Sequence, residues 1–136
     1  MPRSVNILIR DGGGKTLLQF RDSAASSAPL RWSFWGGRIE ESDESDRHAA
    51  ARELAEELGV HAALEDLAAL AERRGSDGQE AVLVLLRRPL HWGDFVVKEG
   101  AGAAFFWRRD LLGLPLAKSV AWYLERRSEL FADRPS

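Results

Sequence analysis

Residues 50–60, Ala-Ala-Arg-Glu-Leu-Ala-Glu-Glu-Leu-Gly-Val, constrain this chain more than any other stretch. Ala51, Leu54, Ala55 and Leu58 stand at i, i+3, i+4 and i+7, one apolar stripe on a helix of 3.6 residues per turn. Gly59 follows where a left-handed residue would end that helix. Glu53, Glu56 and Glu57 are related by three and four positions, so they share a face beside the stripe. Like charges at those spacings repel one another. A helix with one apolar side needs a second layer to pack on, and the flanking sequence offers strands.

Val5–Ile9 and Thr16–Phe20 are short apolar runs on either side of Asp-Gly-Gly-Gly-Lys, which predicts a β-hairpin. Arg21–Arg31 is a small, polar connection. Trp32–Glu40 holds aromatics, a glycine pair and a short extended piece. Ala62–Arg74 is ambiguous, because Leu64, Leu67 and Ala68 have helical spacing without caps. Ala81–Leu86 reads as a buried strand, residues 91–100 as a turn-rich connection, and Ala103–Trp107 as a further strand. Lys118–Leu130 suits a helix with Val120, Tyr123, Leu124 and Arg127 on one side. Mixed strands with two helices predict an α/β or α+β sandwich, and 136 residues without a linker predict a single domain, 1–136.

Composition removes several functional classes. The chain has no cysteine, which excludes disulfides, thiolate metal sites and cysteine nucleophiles. His48, His61 and His91 are scattered without zinc-ligand spacing. A net charge of −2 gives no footprint for nucleic acid. No apolar run approaches the ~18 residues of a membrane span, and the N-terminus lacks a signal-peptide core. The expectation is a soluble, cytoplasmic protein, monomer or homodimer, without membrane or nucleic-acid partners. Asp11–Lys15 is read as a turn, because it lacks the spacing of a phosphate-binding P-loop.

The acids are unevenly spread. Glu40 to Glu57 contains eight acids and two arginines, a local charge of −6 in a chain whose total is −2. An acidic helix face taken alone is more often a solvated surface. A hard divalent cation would relieve the repulsion, since Mg²⁺ prefers carboxylate and phosphate oxygens. Arg52 stands four residues before Glu56 and can pair with it.

The wider pattern resembles the Nudix box, G-x5-E-x7-R-E-U-x-E-E-x-G-U with U a bulky aliphatic residue. Glu44-x7-Arg52-Glu53-Leu54-Ala55-Glu56-Glu57-Leu58-Gly59-Val60 fits every fixed place. One departure is plain: six residues, not five, separate Gly37 from Glu44. The lead-in Trp-Ser-Phe-Trp-Gly-Gly and the segment from Lys98 to Pro115 are similar to MutT-like members. The resemblance implies an α/β/α sandwich with a mixed sheet, in which the extended structure that follows the box would make Leu67–Arg74 a strand. It also implies a hydrolase that cleaves diphosphate linkages of nucleotides with Mg²⁺ or Mn²⁺, by direct attack of water.

By motif position, Glu53, Glu56 and Glu57 take metal-ligand and catalytic places. Gly37 would offer a carbonyl ligand, Arg52 would orient carboxylates, and Glu44 would stand behind them as a partner for Arg52. Glu99 matches an acidic loop residue that binds metal or acts as base, or is simply an exposed turn acid. The glutamates are expected on the surface rather than in the core. For the substrate, Trp32, Phe34 and Trp35 could stack a base or sugar or could equally belong to the core, Trp35 being the readier core member. Arg21 and Arg38 could touch phosphate or face solvent. Lys118 stands where MutT-like members that clear oxidised guanine nucleotides carry a base-reading asparagine. A nucleoside triphosphate and a nucleoside diphosphate-sugar are both compatible. The competing reading is a catalytically silent nucleotide-sensing module, whose sign would be loss of the box carboxylates. All three are intact here.

Overall fold

The computed structural model describes residues 3–135. In chain order the elements are β1 (Arg3–Leu8), β2 (Thr16–Phe20), β3 (Trp32–Ser33), β4 (Trp35–Arg38), α1 (Asp46–Leu58), β5 (Leu67–Arg74), β6 (Glu80–Leu86), β7 (Gly102–Phe106) and α2 (Lys118–Arg126). Four strands form a mixed sheet, ordered β4-β1-β6-β5, in which β1 and β6 run parallel. The other three form an antiparallel sheet, β3-β2-β7. Side chains alternate across β1: Val5 and Ile7 enter one core cluster with Leu54 and Leu58 of α1, while Leu8 enters another with Val120 and Tyr123 of α2. The helices therefore cover opposite faces, which is the expected α/β/α sandwich.

The predicted hairpin is only half present. The Asp11 carboxylate accepts from the N–H groups of Gly13 and Lys15 at 3.0 and 2.8 Å and reverses the chain. Leu17 N–H then donates to the Ile9 carbonyl at 2.9 Å, and Arg10 bridges Thr16. Beyond that point β1 pairs with β4 and β6, whereas β2 pairs with β3 and β7. Leu8, Leu17 and Leu18 have no exposed surface. Each strand is covered on both faces, and the pair splays so that two sheets can share the core.

The ambiguous stretch resolves as a 3-10 turn, Leu64–Asp66, followed by strand β5. Its helical spacing loses to the ladder that β6 offers, which runs from Leu67↔Leu86 to Arg74↔Glu80 with a bulge between Ala69 and Ala71. The last helix is shorter than predicted. It stops at Arg126, Arg127 leaves helical geometry (φ −136°, ψ 51°), and a 3-10 turn covers Ser128–Leu130.

Helix α1 starts at Ser45, whose hydroxyl accepts from His48 N–H at 3.2 Å, and ends at Gly59 with φ 67°. Its buried residues are Ala49, Ala50, Glu53, Leu54, Glu57 and Leu58. The helix is thus rolled toward its glutamates relative to the predicted stripe, and two acids expected at the surface are inside. No helix among the described residues is long and apolar enough to cross a membrane.

Candidate active site

The roll of α1 has a local cause in β4. Gly36 and Gly37 carry no side chains, so the helix can bring carboxylates against the strand. A Cβ on Gly37 would lie 2.7 Å from Glu53 Oε1. Gly36 has φ +128°, and a Cβ there would meet the Val5 carbonyl oxygen at 2.0 Å. The Gly36 N–H donates to the two carboxylate oxygens of Glu57 at 3.2 and 3.3 Å. Glu57 is 1% exposed and Glu53 9%, while the Glu56 side chain is 55% exposed. One face thus presents an open carboxylate and a buried pair.

Burial pushes the Glu57 carboxyl up to about 9, against the pull of the Gly36 N–H and helped by Glu53 and Glu99. Burial also raises Glu53, against Glu57 and Arg52. Burial disfavours charge on each, so holding both as carboxylates is unfavourable. A cation would neutralise the charge that burial disfavours, and the donors are hard oxygens, so the residues suit a hard divalent cation. Among the described residues no three acidic or histidine side chains close a cage around one point. The carboxylates are offered from one helix face.

Arg52 is the cation that the structure puts beside this pair. Its Nη1 approaches Glu53 at 3.0 Å and Glu56 at 3.3 Å, as the i, i+4 spacing predicted for Glu56. Its Nε and Nη2 donate to the two oxygens of Asp43 at 3.0 and 2.8 Å, and Nη2 also reaches the Arg38 carbonyl at 3.1 Å. The Asp43 hydrogen bonds raise Arg52, and Arg52 in turn holds Asp43 below the usual carboxylate range. The expectation that Glu44 pairs with Arg52 is corrected. Glu44 points outward, 82% exposed, with His48 Nε2 at 3.4 Å. Asp43, one residue earlier, takes its place at the arginine.

Residues 96–98 run beside the end of α1. Val96 N–H donates to the Leu58 carbonyl and Lys98 N–H to the Glu57 carbonyl, at 3.0 and 2.9 Å. This brings Glu99 within electrostatic reach of Glu57. Next to it a cleft of about 530 Å³ is lined by Gln19, Arg21, Asp22, Lys98, Glu99 and Gly100. Arg21 and Glu99 therefore meet in one cleft. Lys98, Gln19 and Asp43 went unnoticed in the sequence. Lys98 adjoins Glu99, and five residues separate Asp43 from Gly37, the spacing that could have found it.

The remaining candidates lie elsewhere. Phe34 is 4% exposed and packs on Tyr123 and Phe131, so it is core and has no face left for a base. Trp35 is core as expected, its Nε1–H donating to the Leu17 carbonyl at 3.1 Å. Trp32 is half-buried between Phe20 and Phe106. It exchanges backbone hydrogen bonds with Pro115 and Ala117, which sets it beside exposed Lys118 at the start of α2. Arg38 is exposed and meets the site through its carbonyl.

An α/β/α sandwich that carries carboxylates on a helix against a glycine pair belongs to the class of diphosphate hydrolases. The NUDIX domain profile matches residues 1–110, and the chain belongs to the Nudix family. It is 35% identical over 130 residues to the CTP pyrophosphohydrolase of Escherichia coli K12, covering 96% of this chain and 93% of that one. The solution structure of the Escherichia coli ORF135 protein superposes with a TM-score of 0.71 at 31% identity, over 100% of this chain and 94% of that one. A MutT structure from work on Aliivibrio salmonicida and Vibrio cholerae gives a TM-score of 0.76 at 20% identity, over 96% and 98% of the two chains, a likeness of fold. Hydrolases of this family use divalent metal ions.

Proposed function

We propose that the protein hydrolyses the diphosphate linkage of a nucleoside triphosphate, with Mg²⁺ or Mn²⁺ held by Glu53, Glu56 and Glu57, and releases a nucleoside monophosphate and pyrophosphate. The observation that carries this reading is the buried Glu53–Glu57 pair, which needs a proton or a cation to be stable beside the exposed carboxylate of Glu56. A divalent cation there would neutralise the diphosphate oxygens and acidify the attacking water. Glu57 is fixed by Gly36 N–H and Glu53 by Arg52, so neither has to reorganise when substrate binds.

Glu99 is solvent-exposed on the wall of the cleft, and it is the acceptor for the water's proton. Arg21 and Lys98 flank the same cleft and meet the phosphate chain. Trp32, with Phe20 and Phe106 behind it, offers a ring for the base, and Lys118 lies beyond it. No cysteine is present and, among the described residues, no histidine lines the cleft to form a covalent intermediate, which favours direct attack of water on phosphorus. The name of the 35%-identical relative, CTP pyrophosphohydrolase, favours a nucleoside triphosphate over a nucleoside diphosphate-sugar. Retention of the three glutamates favours an enzyme over a sensing module.

A panel of nucleoside triphosphates, CTP included, and nucleotide-sugars tests the reading, with Mg²⁺ or Mn²⁺ and products identified by mass in ¹⁸O-labelled water. Label on one phosphoryl product of a triphosphate supports it. Turnover of the sugars alone, or full turnover in excess chelator, overturns it.

A further inference from the structure

We propose that Asp43, rather than the Glu44 singled out by the motif, is the acid that positions Glu53 for the cation, acting through Arg52. The inference rests on the carboxylate site described above. Gly37 and Asp43 are separated by five residues, so the supernumerary residue lies between the acid and Arg52 and not in the loop before the acid. The turn at 40–43 presents the acid. Asp43 N–H donates to the Glu40 carbonyl at 3.0 Å, and the Asp43 carboxylate accepts from Glu40 N–H at 2.8 Å. That pair of bonds aims the Asp43 side chain inward, where it is 6% exposed, against 82% for Glu44.

The consequence follows from how a guanidinium spends its donors. Asp43 takes Nε and Nη2 in a forked, two-oxygen contact at 3.0 and 2.8 Å. The Arg38 carbonyl takes another Nη2 proton at 3.1 Å. Only the Nη1 edge is left for Glu53 at 3.0 Å and Glu56 at 3.3 Å. Arg52 therefore steadies one oxygen of Glu53 and leaves the other unclaimed by the guanidinium, while both oxygens of Glu56 lie within 3.5 Å of Nη1. Without the Asp43 charge, the fork is free to turn onto Glu53 and Glu56 and compete with the cation for the same oxygens. Glu44, with one long contact to His48, exerts no such hold.

The test is Mn²⁺ binding, followed by electron paramagnetic resonance, to wild type, Asp43→Asn, Asp43→Glu and Glu44→Gln. Nucleotide turnover is measured across the same Mn²⁺ range. Expected is a tenfold or greater weakening of Mn²⁺ binding in Asp43→Asn, partial recovery in Asp43→Glu, and wild-type binding in Glu44→Gln. At saturating Mn²⁺, kcat of Asp43→Asn should recover toward wild type with KM for the nucleotide unchanged. Arg52→Lys keeps the charge and loses the fork, and it should weaken Mn²⁺ with an unaltered circular dichroism spectrum, which keeps the test decisive if Asp43→Asn misfolds. Wild-type binding in Asp43→Asn, or an equal loss in Glu44→Gln, overturns the proposal. A wild type that binds Mn²⁺ but turns over no nucleotide fails the proposed function alone, and the binding comparison still decides for Asp43. A wild type that binds no Mn²⁺ removes the site reading and this proposal with it.

Discussion

Glu57→Gln in metal-free protein gives a stability test that is independent of substrate. The folded Glu57 carboxyl is pushed up to about 9 by burial, whereas an unfolded glutamate titrates near ~4.3. Between those values the unfolded state binds fewer protons than the folded state, so stability falls as pH rises. The contribution is fully present below the unfolded pKa and is lost as pH climbs through the folded one. Each pH unit costs at most about 1.4 kcal/mol, and the whole window about 6 kcal/mol. A loss that large rivals the total stability of a domain of this size, so water entry and relaxation should leave roughly 2–3 kcal/mol to be measured between pH 5 and 9. Glutamine keeps the acceptor for Gly36 N–H and removes the titration. In chelator, urea melts at half-unit pH steps should show wild type losing stability steeply with pH, while Glu57→Gln keeps only the shallower dependence that Glu53 contributes and is the more stable protein at pH 8–9. A hundredfold excess of Mg²⁺ or Mn²⁺ over its Kd should add about 2.7 kcal/mol to wild type and far less to the variant, reversing the order. A flat wild-type profile in chelator, or the same slope in both proteins, refutes the buried-carboxylate argument.

Four further outcomes are expected. Glu56→Gln should leave the melting temperature within a few degrees of wild type and lower kcat by two or more orders of magnitude, and chelation should silence wild type reversibly. Glu99→Gln should lower kcat at saturating metal; a loss that extra metal rescues would make Glu99 a ligand and not the base. Gly36→Ala should destabilise the fold by about 3 kcal/mol or more in a denaturant melt, because its φ of +128° and the Val5 carbonyl at 2.0 Å leave no room for a Cβ. With Lys118 where a base-reading asparagine would stand, kcat/KM for 8-oxo-dGTP should exceed that for dGTP by less than about tenfold, under about 1.4 kcal/mol; a thousandfold preference would contradict it.

Much of this protein is legible along the chain because its signals are local. The end of α1 follows from Gly59 as stop, which acts within one turn. The box glutamates and Arg52 share a face through helical spacing alone. Trp35 could be assigned to the core from its place in the aromatic lead-in, and β6 from its apolar run. Other features depend on partners distant in sequence. β1 and β2 read as one hairpin, but β4, β6, β3 and β7 compete for their edges and divide them between two sheets. Phe34 reads equally as a stacking ring or as core until Tyr123 and Phe131 are packed on it. Which glutamates are buried was set by β4, whose two glycines let α1 roll inward; periodicity names the acids on a face but not the strand that covers them. The choice of Asp43 over Glu44 is of the same kind. One residue of turn geometry at Glu40–Asp43 decides which carboxylate meets Arg52, because a hydrogen-bonded fork requires a placement within tenths of an ångström that only the folded loop supplies.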